Sequence, residues 1–189
     1  MSISHASGCR QVTHPSVLRA ILGGMLEVVE RGAVLRFSFE DVLRYHGGHS
    51  PGGAAIAYQV LARALPELGA CERRAIVVET AFGGPGARDA FELVTRAVSD
   101  GRYRVADELA RPERGRVLER FAWRLSGGGR TVDLLLREGF ADEEFIDLAR
   151  TDPRSPEQEA RLDELKAEMA ERVMGMAAEE VYDAARSRS

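Results

Sequence analysis

Lysine is almost missing from this chain. Of its 26 basic residues only Lys166 is a lysine, and the rest are arginines. Cysteine is scarce as well: Cys9 and Cys71 are the two, and neither belongs to a CxxC pair. That argues against a disulfide framework and for two reduced thiols, with a disulfide or a shared metal as the minority alternative. There is no excess of positive charge, since the formal net charge is −4. A nucleic-acid partner is therefore not expected, because no cationic face is available to neutralise phosphates. Long apolar runs are absent too, so no membrane span is expected. No basic stretch followed by an apolar core opens the chain, so no signal peptide is expected, and a cytoplasmic protein follows. Neither an internal repeat nor a low-complexity tract is visible.

What is present suits one folded domain. A length of 189 residues fills one core and is short for two. The polar residues 1–14 predict a flexible arm, and 15–189 a single domain. Apolar residues at helical spacing from Val17 to Val29 predict a helix over 15–31. Ser38 with Asp41 three residues on predicts a capped short helix ending after His46. Ser50-Pro51 predicts a second start, with Ser50 as cap and proline at the first helical position. The alanine-rich run behind it is apolar nearly all round, as in a helix buried on most sides.

The β-branched run Ala75–Glu79 predicts a buried strand, and the glycine-rich loop 80–86 leads to a helix over 87–99. Tyr103–Val105 reads as a strand. Two alternating runs, 117–125 and 131–137, flank a glycine turn and predict a hairpin. A short helix is expected over 142–149. Ser155-Pro156-Glu157-Gln158 is a capping box opening a striped helix that runs to Ala185. The sum is an α+β fold: N-terminal helices packed on a small, mostly antiparallel sheet, with a long C-terminal helix.

Ligand-type side chains concentrate in Tyr45-His46-Gly47-Gly48-His49-Ser50-Pro51-Gly52. Two of the four histidines stand here, separated by glycines that let both rings converge. His46 and His49 are the candidate metal ligands, although a zinc site needs three or four donors. The free N–H groups of the following helix also welcome an anion. Ser50, Glu79, Gly83 and Gly84 are the candidate ligand-binding residues. The alternatives stand beside these: Ser50 as a helix cap, Glu79 as a solvent-facing strand end, and the glycine loop as a tight turn. The loop Gly83–Gly86 lacks the Lys-Ser/Thr ending of a Walker motif, and Asp89 stands where a dinucleotide fold puts its third glycine. No nucleotide cofactor is expected.

The stretch Tyr45–Gly52 and its alanine-rich helix resemble the signature of the FmdE-like family of formylmethanofuran dehydrogenase subunits. That signature reads aromatic-His-Gly-His-x-Cys-Pro-Gly. His46, Gly47, Pro51 and Gly52 match. The family's second histidine falls on Gly48, its cysteine on Ser50, and His49 takes the variable position. The order of later elements is similar over residues 35–183. The cysteine that follows the family's Glu-Thr strand is missing after Glu79-Thr80, and so is the four-cysteine zinc module of some members. The resemblance implies an α+β homodimer with a pocket near His46 associated with a divalent metal such as zinc, and without the family's full active-site chemistry. Two functions are expected from this: a metal- or small-ligand-binding domain, or a non-catalytic homodimeric interaction or regulatory protein.

Overall fold

The alanine-rich segment is the centre of the molecule. The computed structural model describes residues 24–188, and in it Pro51–Leu68 is a continuous helix, α2 in chain order. Pro51 sits in the first turn, where a missing N–H costs nothing, and good helix formers carry the segment on. Gly69 stops it: its φ is 74°, and its N–H donates to the Leu65 carbonyl at 3.1 Å. Every residue from Gly52 to Leu61 is buried. Each fully buried Ile, Leu or Val there contributes roughly 1.5–3 kcal/mol of hydrophobic stabilisation.

Three layers enclose α2. On one side lies a five-stranded sheet in the order β4-β3-β5-β6-β7. Its strands are β3 (Val77–Thr80), β4 (Tyr103–Val105), β5 (Ala122–Gly127), β6 (Arg130–Leu136) and β7 (Tyr182–Arg188). The pair β3–β4 is parallel and the other three pairs are antiparallel. Helix α3 (Pro85–Thr95) makes the crossover from β3 to β4. It packs on α2, as does α6 (Pro156–Met174). Val78, Trp123, Leu125, Val132, Leu134 and Tyr182 form the covered face of the sheet. The Tyr182 hydroxyl donates to the Ile56 carbonyl of α2 at 3.0 Å. On the opposite face Glu79 pairs with Arg104, and Arg124 with Asp133.

The α+β class follows the sequence reading, and several elements do not. Residues 26–30 are not helical but form β1 (Leu26–Glu30), paired with β2 (Ala33–Phe37). Arg31 and Gly32, at φ 51° and 80°, make the tight turn, and the Glu72 carboxylate accepts from both N–H groups. Turn chemistry and pairing here override an apolar spacing that a helix would also satisfy. The remainder of that expected helix, the N-terminal arm, Cys9 and His14 lie outside the described residues.

The capping box of α1 (Phe39–His46) forms as expected between Ser38 and Asp41. So does the hairpin turn, with Gly128 and Gly129 at φ 59° and 73°. The strand expected from Val117 starts only at Ala122, because Gly115–Leu118 is one helical turn, α4. Helix α5 (Glu143–Arg150) is capped by Asp142.

The largest departure is at the C-terminal end. Helix α6 stops at Met174, well short of Ala185, and α7 (Ala178–Val181) and edge strand β7 follow. The Gln59 amide donates to the carbonyls of Val173 and Met176 at 3.1 and 2.9 Å, satisfying groups that a continuing helix would use itself. The long helix is therefore not the last element.

One carboxylate gives this fold a pH signature. Glu92 on α3 is buried and accepts from the N–H groups of Val98 and Ser99 and from the Ser99 hydroxyl. Burial pushes its pKa up. The Ser99 hydrogen bonds, the Arg96 guanidinium and the Val98 N–H outweigh that and hold it below the ordinary 4.5. A lowered folded pKa stabilises above the ordinary value, and that contribution is lost as pH falls through the folded one. Glu92→Gln should therefore cost about 1–3 kcal/mol at neutral pH. The gap to wild type in urea unfolding should shrink steadily below pH 4.5; a gap independent of pH contradicts this assignment.

Candidate functional site

The glycine pair does what two left-handed residues allow. Gly47 and Gly48 have φ of 85° and 79°, and the chain doubles back between α1 and α2. His46 and His49 are thereby brought together, with ring centroids 4.1 Å apart at an interplanar angle of 38°. The His46 side chain is fully enclosed, and its Nδ1 lies 2.8 Å from Asp89 Oδ2 on α3. A carboxylate can only accept, so Nδ1 donates, and in the neutral ring Nε2 carries the lone pair. Nε2 is buried and has no partner. An unmet buried polar atom costs about 1–3 kcal/mol, and folded proteins carry few.

The starts of α2 and α3 meet beside this pair. A Cβ on Gly86 would stand 2.5 Å from the Ser50 carbonyl oxygen and 2.8 Å from the Ala54 nitrogen. Only glycine permits that approach of two backbones. Gly53 faces Gly86 from α2, and Gly52 lies close to the Lys166 backbone of α6. Ser50 accepts from Ala54 N–H through its carbonyl, but its hydroxyl does not cap the helix and makes no other hydrogen bond. This corrects its expected role as a cap: with ψ at 62° the residue lacks the extended backbone shown by the working caps Ser38 and Ser155. Ser50 is 8% exposed.

A cavity of roughly 410 Å³ opens at this junction, with His49, Ser50, Gly53, Gly83 and Gly84 in its wall. Phe82, Val117, Phe121, Phe145, Ile146 and Leu162 supply its apolar surface. Arg116, Arg120, Arg150, Arg154 and Lys166 supply its charge, and none of its lining residues is a carboxylate. Each cation has a carboxylate partner outside the cavity lining, Arg120 with Asp107 at 2.6 Å and Arg150 with Glu119 at 2.7 Å, for example.

Of the candidate residues, His49, Ser50, Gly83 and Gly84 thus share one cavity, and His46 backs it through His49. Glu79 does not join them. It alternates with the buried Val78 and Thr80, so it projects from the other face of the sheet, where Arg104 holds it. Cys71 is also elsewhere: its sulfur packs under the hairpin turn at Gly127, and burial, then Glu72, push its thiol pKa up. Among the described residues no group of three or more His, Cys, Asp or Glu is arranged to hold a metal ion. Asp89 and the arginines were not legible as site residues. Asp89 is 43 positions from His46, and the cations are scattered over three helices and their loops.

A larger cavity of roughly 830 Å³ lies between β1 and the far half of α2. Most of its polar side chains are already committed: Tyr58 donates to Gly24 and Phe37 carbonyls, Gln59 to α6, and Glu27 pairs with Arg36, while Glu179 and the Cys71 thiol are not. The smaller cavity, which gathers His49, Ser50, Gly83 and Gly84 with five cationic side chains, is the better candidate site.

No family model matches the chain, and no curated protein matches it. Among the described residues no helix is long and apolar enough to cross a membrane.

The two glycines at the junction should respond differently to a methyl group. Gly86→Ala should cost about 1–3 kcal/mol or more, because backbone on both sides must move. Gly83→Ala meets nothing within 4 Å and should stay within about 0.5 kcal/mol of wild type in denaturant unfolding. Equal effects would contradict the close approach of α2 and α3.

Proposed function

We propose that this chain is a small-ligand-binding domain, distantly related to the FmdE-like family of formylmethanofuran dehydrogenase subunits, whose site is the cavity at the starts of α2 and α3. The observation that carries the reading is Ser50, a residue only 8% exposed that lines the cavity, whose hydroxyl has no hydrogen-bond partner in the protein. A hydroxyl that lines a cavity without a partner in the protein is open to a ligand bound there. The motif stretch Tyr45–Gly52 supports the kinship, because it supplies His49 and Ser50 to the wall. Where the family has a cysteine this chain has Ser50, which offers a hydrogen bond and no thiolate chemistry.

The test is a small-molecule fragment screen read by amide chemical shifts. Responding fragments should perturb His49, Ser50, Gly53, Gly83 and Gly84 together. Gly83→Trp, which adds bulk to the wall from a position with open space, should abolish those responses while the protein stays folded. Fragments that perturb only Leu26, Tyr58 and Leu65 of the larger cavity would overturn the reading.

A metal-assisted version is favoured by one further observation. A ligating histidine commonly donates its other N–H to a carboxylate, as His46 does to Asp89, and its free nitrogen then faces the ion. His46 and His49 would hold such an ion, which would supply Lewis-acid polarisation of a bound ligand. The described residues offer no third donor, so this version fits only in part. Elemental analysis of untagged protein should find close to one divalent metal per chain, lost in His49→Ala. Less than about a tenth of a metal per chain ends it.

A further inference from the structure

We propose that the cavity at the starts of α2 and α3 selects an organic anion, a carboxylate or phosphate group carried on a compact apolar or aromatic body. This rests on the small-ligand reading above and narrows it to a chemical class.

The electrostatics of the wall lead there. Both helices present their N-terminal ends to the cavity, with Ser50, Gly53, Gly84 and Pro85 lining it. A helix start carries roughly half a positive charge and unpaired N–H groups. Proteins usually offset this with a side-chain cap or an acidic residue in the first turn. Helices α1, α5 and α6 have both devices. Helices α2 and α3 have neither, and they lie side by side. Two uncompensated positive ends in contact therefore add to five cationic side chains, with no carboxylate lining the space they share.

The Ser50 hydroxyl is the independent sign that a ligand belongs there. It lies between the two helix starts, 3.4 Å from where a Cβ on Gly53 would be, and is free to donate. An anionic oxygen at this point would accept from Ser50 and lie at the positive ends of both helices. The outward ion pairs do not compete strongly. The pairs of Arg116 and Arg120 are well exposed and that of Arg150 is half-exposed, and exposed pairs contribute only about 0–1 kcal/mol each. The guanidinium groups can turn to a ligand at little cost.

The rest of the wall fixes the other half of the molecule. Phe82 and Phe121 stack with centroids 4.9 Å apart, and Phe145, Ile146, Val117 and Leu162 continue the apolar surface. A bare inorganic ion would leave this surface wet, and a neutral apolar molecule would leave the helix starts uncompensated. The volume of roughly 410 Å³ suits a small organic molecule.

The chain carries its own reporter. Trp123 is the one tryptophan and lies 6.0 and 6.2 Å from Phe82 and Phe121. Phenyl phosphate, phenylacetate, inorganic phosphate and benzyl alcohol, titrated into the full chain and followed by Trp123 fluorescence and calorimetry, test the proposal. The first two should bind at least about tenfold tighter than the last two, a difference of about 1.4 kcal/mol. Ser50→Ala removes a group the fold does not use, so it should unfold like wild type yet bind either organic anion about tenfold more weakly. Arg120→Gln together with Arg150→Gln should weaken binding further and flatten its dependence on salt. Phenyl phosphate binding more tightly than phenylacetate would assign the head group to phosphate, and the reverse to carboxylate. Benzyl alcohol binding as tightly as the anions, at the same residues, overturns the anion inference and leaves the ligand-binding reading standing. Inorganic phosphate binding as tightly as phenyl phosphate overturns the apolar half. No response of His49, Ser50 or Gly83 to any fragment or probe overturns both.

Discussion

Two helix starts in backbone contact set the terms for everything around them. Gly86 of α3 touches the Ser50 carbonyl and the Ala54 nitrogen of α2 with no room for a side chain. That contact locks the crossover helix onto the central helix and so fixes where β3 ends and where the loop Gly83–Gly84 runs. It also puts like ends of two helix dipoles together, which is electrostatically unfavourable without an anion. The burial of α2 supplies the stability that tolerates this, because Gly52 to Leu61 are enclosed by α3, α6 and the sheet. Stability and site are thus coupled through the same glycines.

The histidine pair is a consequence of the same junction. Helix α1 ends at His46 against α3, where Asp89 receives its Nδ1. His49, three residues on, is stacked on it and faces the cavity. The arrangement sets the exposed His49 ring against His46 while leaving His46 Nε2 without a bond. Metal and ligand readings therefore concern one place, and they differ in which unmet atom they satisfy: Nε2 of His46 or the hydroxyl of Ser50.

Local signals are legible where a short stretch decides its own structure. The Ser38–Asp41 and Ser155–Gln158 capping boxes, the Gly128-Gly129 turn and the proline starts of α2 and α6 all depend on neighbours within four residues. Structure departs from those signals where partners distant in sequence compete. Residues 26–30 become a strand because the Glu72 carboxylate, 41 positions from Arg31, secures the turn of their hairpin with β2. The chain after Met174 leaves the helix because Gln59, more than a hundred residues earlier, takes the free carbonyls and the open edge of β6 takes the strand.

By itself the sequence determined the class of fold, the central buried helix and the glycine-hinged pair His46 and His49, since composition and spacing within one element specify each. It also singled out Ser50, Gly83 and Gly84. Only tertiary structure decided what these residues share. It removed Glu79 to the far face of the sheet, brought Asp89 to His46, and gathered Arg116, Arg120, Arg150, Arg154 and Lys166 around one cavity. The physical reason is that charge and concavity at a site are sums over elements remote in the chain, and periodicity within an element carries no record of them.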